Sequence, residues 1–147
     1  MIQLKAIYFI YDADGGLWNE IKYWINNNLF KKKSACELCD ISHSKFFVRF
    51  EWLKFIKELK KEYQVKILHR NEIPKNIRDK NYQLPCVIGE TDNEVIEIFS
   101  KGAFIDYGNP TNVKELKEQF FEKLAILEPN PEFERTVSSI SVSLKKI

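Results

Sequence analysis

No stretch of this 147-residue chain is long and apolar enough to span a bilayer, so a membrane helix is not expected. Its first residues, Met1-Ile2-Gln3-Leu4-Lys5, lack the basic start, apolar run and small-residue cleavage site of a secretory leader. Cysteine is scarce. Cys36, Cys39 and Cys86 make three, an odd number with no spaced framework of pairs. That usage points to a reducing compartment, the cytoplasm, where cysteines are structural, metal-binding or redox-active. An excess of one charge is also lacking. Lys and Arg number 23, Asp and Glu 21, and a net +2 gives bulk electrostatics no grip on nucleic acid. No internal repeat stands out, and no Gly-x-x-x-x-Gly-Lys-Ser/Thr segment is present to cradle phosphates. Neither nucleic acid nor a membrane is therefore an expected partner.

What the chain does have is apolar surface. Hydrophobic residues make up 44% and aromatics 14%, spread along the length, which suits a packed domain rather than a disordered tail. The run Leu4 to Tyr11 is almost continuously apolar and β-forming, which predicts a buried strand. Asp12-Ala13-Asp14-Gly15-Gly16 ends it as a turn. Leu17, Ile21, Trp24, Ile25 and Leu29 then fall at helical spacing, up to the basic run Lys31-Lys32-Lys33. A loop with Cys36-Glu37-Leu38-Cys39 follows. The spacing predicts a second helix over about Ser44 to Glu62, with Phe46, Phe50, Leu53, Ile56 and Leu59 as its buried stripe.

Tyr63 to His69 reads as a second strand, Ile73 to Asn81 as a short helix, and Leu84-Pro85-Cys86-Val87-Ile88-Gly89 as a proline-led third strand. Asp92-Asn93 signals a hairpin into a fourth strand, Val95 to Phe99. Asn112 with Glu115 forms a capping-box pattern ahead of a last helix, with Val113, Leu116, Phe120 and Leu124 as its stripe. Residues 1–127 are expected to form one domain. Glu128 to Ile147 is a C-terminal extension whose Val137, Ile140, Val142 and Leu144 suit an edge strand or a docking arm.

Strands separated by helices argue for parallel pairing, and the close third and fourth strands for a hairpin. The fold class is α/β with a mixed sheet of about four strands. Over Leu4 to Leu127 this order resembles the thioredoxin-like three-layer sandwich, with an extra helix before the Cys-x-x-Cys. The resemblance implies that Pro85 is cis and sits beside the cysteines. It also implies thiol–disulfide chemistry with a protein thiol partner, Cys36 attacking and Cys39 resolving. Tyr11 to Leu17, Cys36 to Cys39 and Leu68 to Glu72 also look like a group of uncharacterised bacterial proteins, some labelled GTPase.

Read by their chemistry, two cysteines three apart at a helix start can close a disulfide, and the helix dipole favours the first thiolate. Lys32, Lys33 and Lys45 would add to that, whereas Glu37 and Asp40 would oppose it. The competing readings are a pair of ordinary buried thiols and a zinc site. Cys36, Cys39 and His43 have ligand-like spacing, with Cys86 or His69 as a fourth donor. Cys86, after Pro85, is a resolving thiol or a small buried hydrophobe. His69-Arg70 closes the second strand. Ligand groups gather at the carboxyl ends of strands in open α/β sheets, so Asp12, Asp14, His69 and Arg70 are expected to share one edge with the cysteine loop.

Asp12-Ala13-Asp14-Gly15 after an apolar strand also resembles the first motif of haloacid-dehalogenase-like phosphatases. That resemblance would make Asp12 a nucleophile and Asp14 an acid/base, with magnesium at the strand end, Lys101 as the phosphate lysine and Asp106 alone as the later acidic residue. Gly16 stands where that family has threonine. The plainer reading of the same residues is a turn that caps the next helix. Finally, Phe46, Phe47, Phe50, Trp52 and Phe55 make the second helix apolar on more than one side. That suits deep burial or a partner surface, including a homodimer.

Overall fold

A computed structural model describes residues 2–13, 36–43 and 48–129. Strand β1 (Ala6–Ile10) lies inside the sheet because all five of its residues bury. Strand β2 (Gln64–Leu68) runs parallel to it with Ile10 opposite Leu68. On the other side β3 (Cys86–Glu90) is antiparallel, with Ile10 opposite Cys86. Strand β4 (Val95–Phe99) completes the order β2-β1-β3-β4. The hairpin between β3 and β4 is closed by Thr91, whose Oγ1 accepts from the N–H groups of Asn93 and Glu94. The sheet is therefore mixed and four-stranded, and its order and directions fit a thioredoxin-like α/β sandwich. The Leu84–Pro85 peptide that leads into β3 is cis.

Alternation sorts β1 onto two cores. Ile7 and Phe9 face one side with Val87 and Phe99; Ala6, Tyr8 and Ile10 face the other with Cys86 and Ile88. A register shift between Val87 and Ile88 lets both Ile98 and Phe99 join the first core. A side chain at Gly89 would come within 2.7 Å of a Leu4 methyl, so glycine lets Leu4 pack over β3.

Helices α1 (Glu37–Ser42), α2 (Phe50–Leu59), α4 (Lys101–Ile105) and α5 (Val113–Leu127) supply buried residues to that first core. The ring of Phe9 meets Trp52, Phe55 and Phe120 at centroid distances of 5.1, 6.0 and 5.9 Å. The opposite face is covered by α3 (Lys75–Arg78), whose Ile77 is buried.

The stripe expected on α2 is corrected by the structure. Trp52 and Phe55 bury with Ile56 and Leu59, whereas Phe50 is 70% and Leu53 53% exposed. One residue is about 100° of helix rotation. Both faces carry apolar residues at helical spacing, and the sheet takes the one with the two large rings that meet Phe9. Helix α4 is a second departure. Its five residues include Gly102 and are too few to show a period; Ser100 caps it by accepting the Ala103 N–H.

Helix α5 follows its expected stripe. Asn112 Oδ1 accepts the Glu115 N–H at 2.9 Å, while the Glu115 carboxylate reaches Thr111 rather than closing the box on Asn112. Glu128, just past α5, accepts from the Leu4 N–H and from the Tyr63 hydroxyl, the latter at 2.7 Å. The end of α5 is thereby fastened to the starts of β1 and β2. Among the described residues no helix is long and apolar enough to cross a membrane. The expected helix Leu17 to Phe30 with Trp18 and Trp24, the lysines at 31–33 and 45, Phe46, Phe47, and the segment 130–147 lie outside the described residues.

Candidate functional site

Helix α1 has only six residues, and its first turn is built on the cysteines. Cys36 is the N-cap: its backbone is extended, and its Sγ accepts the Cys39 N–H at 3.2 Å. A disulfide joins Cys36 to Cys39, with Cα atoms 5.2 Å apart. Leu38 and Ile41 turn into the core beside them. Cys36 is fully buried and Cys39 is 5% exposed. Two carboxylates, Glu37 and Asp40, lie in this first turn. Glu37 Oε2 is buried and makes no hydrogen bond among the described residues.

The far end of α1 is fastened to the sheet. Tyr11 directly follows β1, and its backbone N–H donates to the Leu68 carbonyl. Its hydroxyl donates to Ser42 Oγ at 2.8 Å, both groups being buried. Ser42 Oγ also lies 2.7 Å from His43 Nδ1 and 3.3 Å from the Cys39 carbonyl. Neither Tyr11 nor Ser42 is flagged by sequence pattern. Tyr11 is one more strand residue and Ser42 one more helix residue until the fold brings them together.

The polar strand ends converge on the same edge. The rings of His43 and His69 stand edge-on to Tyr11 at 5.9 and 5.6 Å. Arg70 donates its N–H to the Ala13 carbonyl and its Nη1 to Asp12 at 3.3 Å. Glu72 accepts from the backbone and ring of His69, and those bonds hold its carboxyl below the usual range. A carboxyl lowered in this way adds stability above its unfolded pKa and loses it as pH falls through the folded one. The contribution is small, because the side chain is 44% exposed.

Asp12, His69 and Arg70 thus lie at the carboxyl ends of β1 and β2, with His69 against Tyr11 and Arg70 on Asp12. Buried Pro85 directly precedes Cys86, which sits opposite Ile10, the residue before Tyr11. Asp14 lies outside the described residues. Lys101 opens α4 and Asp106 caps its other end. The described Asp12 is engaged by Arg70.

Cys86 is placed differently from either chemical role weighed for it. It belongs to the opposite core, with Ile10, Ile77 and Ile88, so the sheet stands between it and the Cys36–Cys39 pair. Period-two alternation along β3 is the signal that separates them. Among the described residues no group of three or more His, Cys, Asp or Glu is arranged to hold a metal.

Burial, with the Glu97 carboxylate second, pushes the Cys86 thiol up to about 12. Raised above its unfolded pKa of about 8.5, it adds stability that is complete below that value and is lost as pH rises through the folded one. Alkylation of the native protein at pH 8 should therefore spare Cys86, and the same treatment in urea should modify it. Equal rates in the two states would contradict its burial. No family model matches the chain, and no curated protein or solved structure matches it.

Proposed function

We propose that the chain is a thiol–disulfide redox protein of thioredoxin-like architecture, with Cys36 and Cys39 as its couple. The observation that carries this reading is the closed Cys36–Cys39 pair in the first turn of α1, beside the carboxyl ends of β1 and β2. In the dithiol form, the Cys36 thiolate faces the Cys39 N–H and the positive end of the helix. It attacks one sulfur of a partner disulfide. The partner's S–S bond breaks, and its released thiolate takes up a proton. Cys39, as thiolate, then attacks the mixed disulfide at Cys36. The partner leaves with two electrons and two protons gained, and the Cys36–Cys39 bond closes. Pro85, His69, Arg70 and Asp12 border the site where such a partner segment would lie.

A second reading is favoured by one observation, the burial of both cysteines. On that reading the chain is a non-catalytic α/β binding module whose cysteines are structural. One experiment separates the two. The purified protein is equilibrated in glutathione buffers of graded potential, with free thiols and zinc measured together. A reversible two-electron transition is the expected result. A disulfide that stays closed over the whole cytosolic range, or stoichiometric zinc released with loss of fold, would assign the cysteines to structure instead.

A further inference from the structure

We infer that Tyr11, acting through Ser42, is a positioning residue of the Cys36–Cys39 couple, an inference that rests on the redox reading above. A six-residue helix is far too short to hold itself together in water. What shapes α1 is its surroundings: Leu38 and Ile41 in the core, and the bond from the Tyr11 hydroxyl to Ser42 Oγ at 2.8 Å. Tyr11 is well suited to anchor it. Its N–H is fixed to Leu68 by the sheet, its ring is 4% exposed, and Ser42 is fully buried. Ser42 also lies 3.3 Å from the carbonyl of Cys39, so the anchor reaches the residue that carries one sulfur.

The anchor acts unequally on the two redox states. In the disulfide form the crosslink keeps the first turn wound, so loss of the Tyr11 bond is felt in full. In the dithiol form the turn can loosen and escape part of that loss. The anchor therefore favours closure: it keeps the two sulfurs at bonding separation and raises their effective concentration. A residue that only packed the core would stabilise both states alike and leave the potential unmoved.

The test is Tyr11→Phe, which keeps the ring and leaves Ser42 with His43 Nδ1 at 2.7 Å as a partner. Ser42→Ala, which removes the same bond from the other side, is the second variant. Each is equilibrated in glutathione buffers beside the wild type, and the oxidised and reduced forms of each are melted. The equilibrium constant for closure should fall about fivefold in Tyr11→Phe, equivalent to about 20 mV toward easier reduction. Ser42→Ala should shift in the same direction. Tm should fall further in the oxidised form than in the reduced form. Wild-type potentials in both variants, with equal Tm losses in the two forms, would overturn the positioning role while leaving the couple intact. Absence of a reversible couple in the wild type would instead remove the redox reading, and this inference with it.

Discussion

Cys36→Ser is expected to abolish the two-electron couple while leaving the fold in place. Cys36 is the N-cap of α1, and serine is a better N-cap than cysteine, so Oγ takes over the Cys39 N–H that Sγ now accepts. The crosslink that is lost closes a very short loop. In the chain-entropy picture that costs about 2 kcal/mol at most, within the margin of a domain of this size. Cys39→Ser also removes the couple but should be less well tolerated. Cys39 lies in the apolar core with 5% exposure, where a hydroxyl costs about 1–3 kcal/mol unless it is bonded. Cys86 cannot replace the missing sulfur within one chain, because it faces the opposite core. The measurement is free thiol against potential, with urea unfolding of each variant and a non-reducing gel to exclude crosslinks between chains. A reversible couple that survives in Cys36→Ser would refute the assignment. A Cys36→Ser protein that fails to fold while Cys39→Ser folds would instead overturn the capping account of Cys36.

The sheet was legible because its strands carry strong local signals. A short, almost continuously apolar run rich in β-formers with a turn after it suits a strand buried on both faces, and β1 lies inside the sheet. The fourth strand has the bounds expected after the Asp92-Asn93 hairpin signal, Val95–Phe99. The last helix buries Val113, Leu116, Phe120 and Leu124, each expected from the 3.6-residue period. Where the reading failed, the deciding force was tertiary. Helix α2 carries apolar residues on two faces, so periodicity alone could not choose between them. The choice fell to Phe9, whose ring needed Trp52 and Phe55 as neighbours.

The candidate site divides along the same line. The Cys-x-x-Cys and the polar strand ends at Asp12, His69 and Arg70 can be read locally, because spacing and the strand-end rule of α/β sheets point to them. The anchor from Tyr11 to Ser42 cannot. It joins residues 31 positions apart, and neither residue type is unusual where it stands. The face of Cys86 lies between these cases. Counting in twos along β3 sets Cys86 with Ile88 and apart from Val87. The second core that receives it, however, depends on Ile77 from a helix of four residues.

Trp52→Ala should produce the largest loss of stability among single substitutions in α2, about 3–5 kcal/mol. The side chain is 1% exposed and stands edge-on to Phe9 at 5.1 Å and to Phe55 at 5.9 Å. Removing the indole opens a void between α2 and the middle of the sheet, and the backbone on both sides is held by regular hydrogen bonding that limits collapse into it. A loss of that size is a large share of the roughly 5–15 kcal/mol available to a domain. The informative control is two residues away. Phe50 is 70% exposed, and its one described aromatic contact is with Lys54, whose Nζ lies 5.5 Å from the ring centroid. Phe50→Ala should therefore cost less than about 1 kcal/mol. Urea unfolding of the two variants measures the rotation of α2 directly. A large loss for Trp52→Ala beside a small one for Phe50→Ala sets the tryptophan face against the sheet. The reverse order would turn the helix to the face its periodicity first suggested, and would take from Phe9 the two rings of α2 that stand edge-on to it.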